Sequence, residues 1–124
     1  VDIDDFKDIN DNYGHDTGDS ILTQFSTMLS KHLRQSDCAS RHGGDEFLLC
    51  LPDTDVNKAY RIIERLNNHI QAFEYSSNIH LTASFGISPL KKDIRNSIIN
   101  ADVAMYQSKN NGKNQISIFE EHNG

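Results

Sequence analysis

Apolar positions recur along this chain at two spacings, and their order sets the fold class. Ile21, Leu22, Phe25, Met28, Leu29 and Leu33 follow the helical repeat and predict a helix over about 17–34. Val56, Ala59, Tyr60, Ile63, Leu66, Ile70 and Phe73 predict a second over 56–73, and a third occupies about 94–110, ended by Asn111-Gly112. Residues 79–88 instead alternate, with Ile79, Leu81, Ala83, Phe85 and Ile87 on one face of a strand, and Gln115–Phe119 reads as a last short strand. Val1-Asp2-Ile3-Asp4 has the strand period but is too short for a complete central strand, so it is expected to be the end of one that begins earlier in a longer protein. Residues 5–13 (DFKDINDNY) suit a short helix with Gly14 as its stop, and residues 38–51 (CASRHGGDEFLLCL) suit a hairpin turning at Gly43-Gly44. The order β-α-α-β-β-α-β-α-β describes an α+β fold, a mixed-sheet α/β sandwich built around an antiparallel hairpin.

Composition narrows the classes of function. A chain of 124 residues, 36% apolar and 24% charged, supports one folded domain with a single core, spanning 1–124. No apolar run approaches the length of a bilayer, and no cationic-then-apolar leader opens the chain, so a cytoplasmic domain without membrane contact of its own is expected. The net charge of −6 argues against DNA as a partner, because phosphate backbones are held by basic faces. A small phosphorylated ligand carried by a bound metal remains compatible with that charge. With a turn at Gly43-Gly44, Cys38 faces Leu49 rather than Cys50, and both thiols are expected to be reduced and buried.

The chemistry concentrates in acids. Asp2 and Asp4 stand at the exit of a strand, where open sheets place their ligands. Asp45 and Glu46 stand beside the hairpin turn, and a hairpin lying next to the first strand would bring Asp2 and Asp45 to one edge of the sheet. A few oxygen ligands suit Mg²⁺ or Mn²⁺, which leave their other positions to water and phosphate, and no Cys/His spacing suits zinc. Solvated strand-end acids beside an ordinary turn would read the same way. The glycine pair favours a ligand, since it permits positive φ and close backbone approach and the turn itself has no need of two acids. Lys7, Lys109 and Lys113 are candidates to neutralise phosphates or are plain surface lysines, and His15 is a capping, packing or ligand-facing histidine.

Three separated motifs resemble the GGDEF family of diguanylate cyclases. The first runs from Asp2-Ile3-Asp4-Asp5-Phe6-Lys7-Asp8-Ile9-Asn10-Asp11 through Gly14-His15, Gly18-Asp19 and Leu22; the second is Arg41-His42-Gly43-Gly44-Asp45-Glu46-Phe47; the third joins Ala101-Asp102, Lys109 and Gly112-Lys113-Asn114. Thr82-Ala83-Ser84-Phe85-Gly86 is similar to a further family strand. The resemblance implies a nucleotidyl-cyclase or palm-like fold and the condensation of two GTP molecules into cyclic di-GMP with release of two pyrophosphates. It implies that Asp2, the Ile3 carbonyl and Asp45 hold Mg²⁺ or Mn²⁺, with Asp45 as base toward the attacking 3′-hydroxyl and Glu46 beside it. It further implies substrate contacts at Phe6, Lys7, Asn10, His15, Asp19, Lys109 and Lys113, of which Asn10 and Asp19 read the guanine edge and the lysines meet phosphate. An acidic Asp19 accepts from guanine N1–H and N2–H₂, which disfavours an adenylate-type cyclase of similar fold. Arg34-Gln35-Ser36-Asp37 matches the family's product-inhibition motif, with Arg65 as third contributor. On spacing alone it reads as a helix-end ion pair. Arg is the usual reader of guanine O6 and N7.

The sequence departs from the family pattern in three places. The apolar half-strand usual before Asp2 is missing, so the domain is expected to be N-terminally truncated. Lys113 stands where Arg is common, keeping the charge and losing the bidentate fork. Asp5 adds an acid close to the metal ligands. Catalysis by this family needs a homodimer, because each domain brings one nucleotide. The competing reading is a non-catalytic GTP- or cyclic di-GMP-binding module attached to a phosphodiesterase (EAL) domain.

Overall fold

The computed structural model of the chain describes residues 1–120. Its elements are β1 (Asp2–Ile3), α1 (Phe6–Tyr13), α2 (His15–His32), β2 (Cys38–Arg41), β3 (Phe47–Cys50), α3 (Val56–Ala72), β4 (Ala83–Ile87), α4 (Ile94–Asn110) and β5 (Ile116–Ile118). The long helices begin where short acids stop the preceding loop. Asp55 caps α3 by accepting from the Lys58 N–H at 2.8 Å, and Asp93 caps α4 by accepting from the Asn96 N–H at 3.2 Å. Helix α2 starts two residues before the predicted point, directly after Gly14, whose φ of 91° ends α1.

Strand β4 organises the sheet. It pairs antiparallel with β1, Asp2 opposite Ser84 and Ile3 opposite Ala83, and parallel with β5, Phe85 opposite Ile116. The parallel pair is joined through α4, as a parallel connection requires. On the other edge of β1, Val1 and Phe47 exchange two backbone hydrogen bonds of 2.8 Å, and the Ile3 N–H donates to the Asp45 carbonyl at 3.1 Å. The hairpin β2–β3 is thereby fastened to β1, which lies between β3 and β4. Helix α4 rests on β4 closely enough that a Cβ on Gly86 would lie 2.0 Å from the Ala101 carbonyl oxygen and 2.3 Å from the Met105 nitrogen. Only glycine fits there.

Ile3, Ile21, Phe25, Leu29, Leu66 and Ile70 are almost wholly buried and, with Phe47, Ala83 and Phe85, form the core. Each large side chain contributes roughly 1.5–3 kcal/mol by leaving water. Ile79, Leu81, Ala83 and Phe85 are buried as their alternation predicts, but the strand proper begins only at Ala83. Before it, Ser76–Asn78 form a short 3-10 turn, and the Tyr75 N–H donates to the Ile79 carbonyl at 2.9 Å, so those backbone groups are bonded locally.

The hairpin corrects the expected cysteine geometry. Its turn is longer than Gly43-Gly44 alone: the His42 N–H bonds the Glu46 carbonyl at 2.8 Å, and the register runs from Arg41 opposite Phe47 to Cys38 opposite Cys50. A one-residue change of register moves every partner by one. Cys38 therefore faces Cys50, not Leu49, and Cys38 is exposed while Cys50 is half-buried; both are free thiols. Gly43 and Gly44 also lack the positive φ that their type permits. A Cβ on Gly44 would meet nothing within 4 Å, and one on Gly43 only ordinary contact with Glu46 at 3.7 Å. The fold places no demand for glycine at either position.

Candidate active site

The pairing of β1 with both β3 and β4 decides where the acids stand. Asp2 is bridged to Glu46 across the sheet, and the Asp45 carbonyl is bonded to Ile3, so acids separated by more than forty positions meet at one strand end. Asp2 Oδ1 is buried without a hydrogen-bond partner, with Lys109 Nζ 3.7 Å away. Burial, a hydrogen bond with the Asp45 carboxyl and the Asp45 charge push the Asp2 carboxyl up to about 7. Lys109 opposes that rise and the Glu46 charge adds to it. An ionised Asp2 in this setting calls for positive charge beyond what Lys109 supplies. The donor set of Asp2, Asp45 and the Ile3 carbonyl, all oxygen and few in number, fits a divalent ion of the Mg²⁺ type. Among the described residues no group of three or more His, Cys, Asp or Glu side chains is arranged to hold a metal ion by itself.

Asp4, two residues further on, has the opposite environment. Its carboxylate accepts from Thr82 Oγ1 at 2.7 Å, Ser84 Oγ at 2.6 Å, Lys109 Nζ at 3.0 Å and the Asn114 N–H at 2.9 Å. Burial by itself would raise its pKa, but these hydrogen bonds together hold it below the usual carboxylate range. Through them Asp4 joins β1, β4, α4 and the 111–115 loop, and it steers Lys109 toward the Ile3 carbonyl, 3.5 Å away. In the sequence Asp4 stands out only as a strand-end acid beside Asp2, with no role of its own. The signal was present in Thr82 and Ser84, two hydroxyls at strand spacing inside an apolar strand, which require a buried acceptor on the neighbouring strand.

The remaining predicted residues divide into those that approach this end and those that do not. Lys7 is exposed on α1, and the Phe6 side chain is buried in the core, so any ligand contact at position 6 falls to its backbone. Asn10 lies on α1 against Gly18 of α2: a Cβ there would fall 1.8 Å from Asn10 Oδ1, and the next residue is Asp19, exposed like His15. Lys113, at φ 65°, pairs with Asp5 at 2.5 Å. That pair raises the Lys113 pKa, first through the hydrogen bond and then through the charge.

Arg34, Asp37 and Arg65 form no part of this end. Arg34 binds Asp37 through Nε and Nη2, at 3.0 and 2.7 Å, and its Nη2 also donates to Thr54 Oγ1 at 2.7 Å. The Asp37 carboxyl is held low, first by the Arg34 side chain and also by the Arg34 backbone N–H at 2.8 Å. Arg65 is exposed on α3 and its charge reaches His32, whose ring stacks on His69 at 3.9 Å. A separate apolar groove of about 500 Å³ runs between β3, β4, α3 and α4; it touches Glu46 but none of Asp2, Asp45, Lys109 or Lys113.

Fold and site together define a mixed-sheet domain with carboxyls crowded at the end of its central strand. The family described as "Diguanylate cyclase, GGDEF domain" matches residues 1–115, and the chain belongs to that family. Diguanylate cyclase A of Treponema denticola is 35% identical over 95% of this chain and 33% of its own length. The active GGEEF domain of a diguanylate cyclase from Vibrio cholerae superposes with a TM-score of 0.84 at 29% identity, over 98% of this chain and 80% of that one. The GGDEF domain of DgcB from Caulobacter crescentus, in complex with c-di-GMP, superposes with a TM-score of 0.86 at 27% identity, over 97% and 75%. The chain spans a third or less of the curated relatives it matches, such as 21% of YtrP from Bacillus subtilis and 33% of the Treponema protein.

Proposed function

We propose that this domain condenses two GTP molecules into cyclic di-GMP and releases two pyrophosphates. The observation that carries the reading is Asp2 Oδ1, buried beside Asp45 with no hydrogen-bond donor and only the Lys109 ammonium 3.7 Å away. A fold that brings two acids together and leaves one buried carboxylate oxygen without a donor suits an added cation. Asp2, Asp45 and the Ile3 carbonyl would hold Mg²⁺ or Mn²⁺, which when bound supplies charge to the leaving pyrophosphate and acidity to the attacking hydroxyl.

The chain's own groups perform the remaining tasks. Asp45 accepts the proton of the 3′-hydroxyl, with Glu46 beside it. Lys109, held by Asp4, presents its ammonium to the phosphate chain, and Lys113 adds a second positive charge. Phe6 and Lys7 lie in the first turn of α1, whose N–H groups have no intrahelical partner and suit an anion. Asn10 and Asp19 read the guanine edge, with His15 near the same nucleotide. Gly43 and Gly44, which the fold does not require, let the hairpin backbone approach the ligand. Each domain brings one nucleotide, so a homodimer is the acting species. Arg34, Asp37 and Arg65 bind the product and restrain the reaction, a use in keeping with the c-di-GMP complex of the related domain from Caulobacter crescentus. No helix among the described residues is long and apolar enough to cross a membrane.

The test is incubation with GTP and Mg²⁺, as isolated protein and as a fused dimer, with the product separated by chromatography. Cyclic di-GMP that disappears with chelator is the expected result. GTP binding without any product, even in the fused dimer, would assign the chain to the regulatory class of module.

A further inference from the structure

We infer that Asp5 competes with the substrate's phosphates for Lys113, so that the Asp5–Lys113 pair is an internal latch that lowers affinity for triphosphate. This rests on the proposed function for its biological meaning, while its physical content concerns phosphate binding alone.

Asp5 stands at the start of α1, where an Asp side chain ordinarily accepts from the first helical N–H groups. Here its carboxylate makes no such bond. It turns instead to Lys113 Nζ, 2.5 Å away across 108 positions of sequence. The backbone on both sides is fixed independently of this pair. The Asn114 N–H is held by Asp4 Oδ2 at 2.9 Å, the Lys113 N–H by the Ser108 carbonyl at 2.9 Å, and the Asp4 N–H by the Thr82 carbonyl at 2.9 Å. Breaking the ion pair therefore costs only side-chain rearrangement. Both side chains are about half exposed, 53% for Asp5 and 44% for Lys113, so an incoming anion can reach them.

Lys113 and the uncapped first turn of α1 are two features that attract an anion. Asp5 lies between them, negative itself and already holding the lysine. An arriving phosphate must take Lys113 from Asp5 and then sit beside the carboxylate it displaced. Both effects weaken binding, and both vanish when the carboxylate becomes an amide. Asn also tolerates the left-handed φ of 57° at this position, so the substitution leaves the backbone undisturbed.

The experiment measures tripolyphosphate binding by titration calorimetry on the wild type, Asp5→Asn, Lys113→Met and the double variant, with GTP turnover recorded in parallel. The expected result is about threefold to tenfold tighter tripolyphosphate binding for Asp5→Asn at low salt, shrinking as ionic strength rises. In the Lys113→Met background the same change should bring a clearly smaller gain, from relief of repulsion alone. Unchanged or weaker binding by Asp5→Asn with a lowered melting temperature would overturn the latch in favour of a fastening role. An equal gain with and without Lys113 would overturn it in favour of plain repulsion, and so would the absence of tripolyphosphate binding by every variant. A tighter Asp5→Asn that forms no cyclic di-GMP leaves the latch standing and removes the cyclase reading. Turnover with an unchanged KM for GTP does the reverse.

Discussion

The two ends of the β2–β3 hairpin treat carboxylates in opposite ways. At the turn end, Asp2, Asp45 and Glu46 gather near Lys109, and one buried oxygen of Asp2 has no hydrogen-bond partner. At the base, Asp37 receives Arg34 through two nitrogens and a backbone N–H, and Thr54 takes a further proton of the same guanidinium. The base is complete within the chain. The turn end is complete only with something added, either a proton or a cation.

The largest expected effect comes from removing one acid of the crowded end. Asp45→Ala should lower cyclic di-GMP formation by about 10²–10⁴-fold or more, measured by chromatography. The melting temperature of the metal-free protein should stay the same or rise, since a repelling charge has gone; a fall of several degrees would break the contrast. Asp4→Ala should instead cost stability, about 2–4 kcal/mol by urea unfolding, because it strands Lys109, Ser84, Thr82 and the Asn114 N–H together.

The contrast also carries a pH signature. Asp2 is raised from an ordinary 3.8 to about 7, so between those values the folded chain holds a proton that the unfolded chain has released. Metal-free stability should therefore fall as pH rises through that window, and Asp2→Asn should flatten the decline. Asp37 is lowered, so its contribution is present above the ordinary carboxylate pKa and is lost on acidification below it. A flat thermal-melt profile between pH 4 and pH 7 would remove the claim of crowding. The smallest structural effect belongs to Arg34→Ala, which removes a partly exposed guanidinium and opens to water the Asp37 side chain that it covers. It should leave turnover intact and abolish inhibition by added cyclic di-GMP, and an enzyme still inhibited would show that the base of the hairpin is not the product site.

Much of the helix and strand pattern was legible because periodicity reports burial directly. Ile21, Phe25 and Leu29 are buried as their spacing demanded, and so are Leu81, Ala83 and Phe85. What escaped was decided by backbone hydrogen bonds that composition does not announce. The His42–Glu46 bond lengthened the hairpin turn and moved Cys38 opposite Cys50. The role of Asp4 escaped because an acid beside a strand looks the same whether it meets solvent or four donors. The pairing of Asp5 with Lys113 escaped because the two are brought together only by β1 and the loop after α4.

By itself the sequence determined the element types, the family and the inventory of acids and bases, since these follow from local spacing and from residue identity. Tertiary structure decided which acids share one low-dielectric corner and which are satisfied. Asp2 and Asp4 are two positions apart on one strand, yet one is raised to about 7 and the other held low. The physical reason is that a carboxylate's charge is governed by the donors and charges within a few ångströms, and those arrive from β3, β4, α4 and the loop beyond it rather than from its neighbours in the chain.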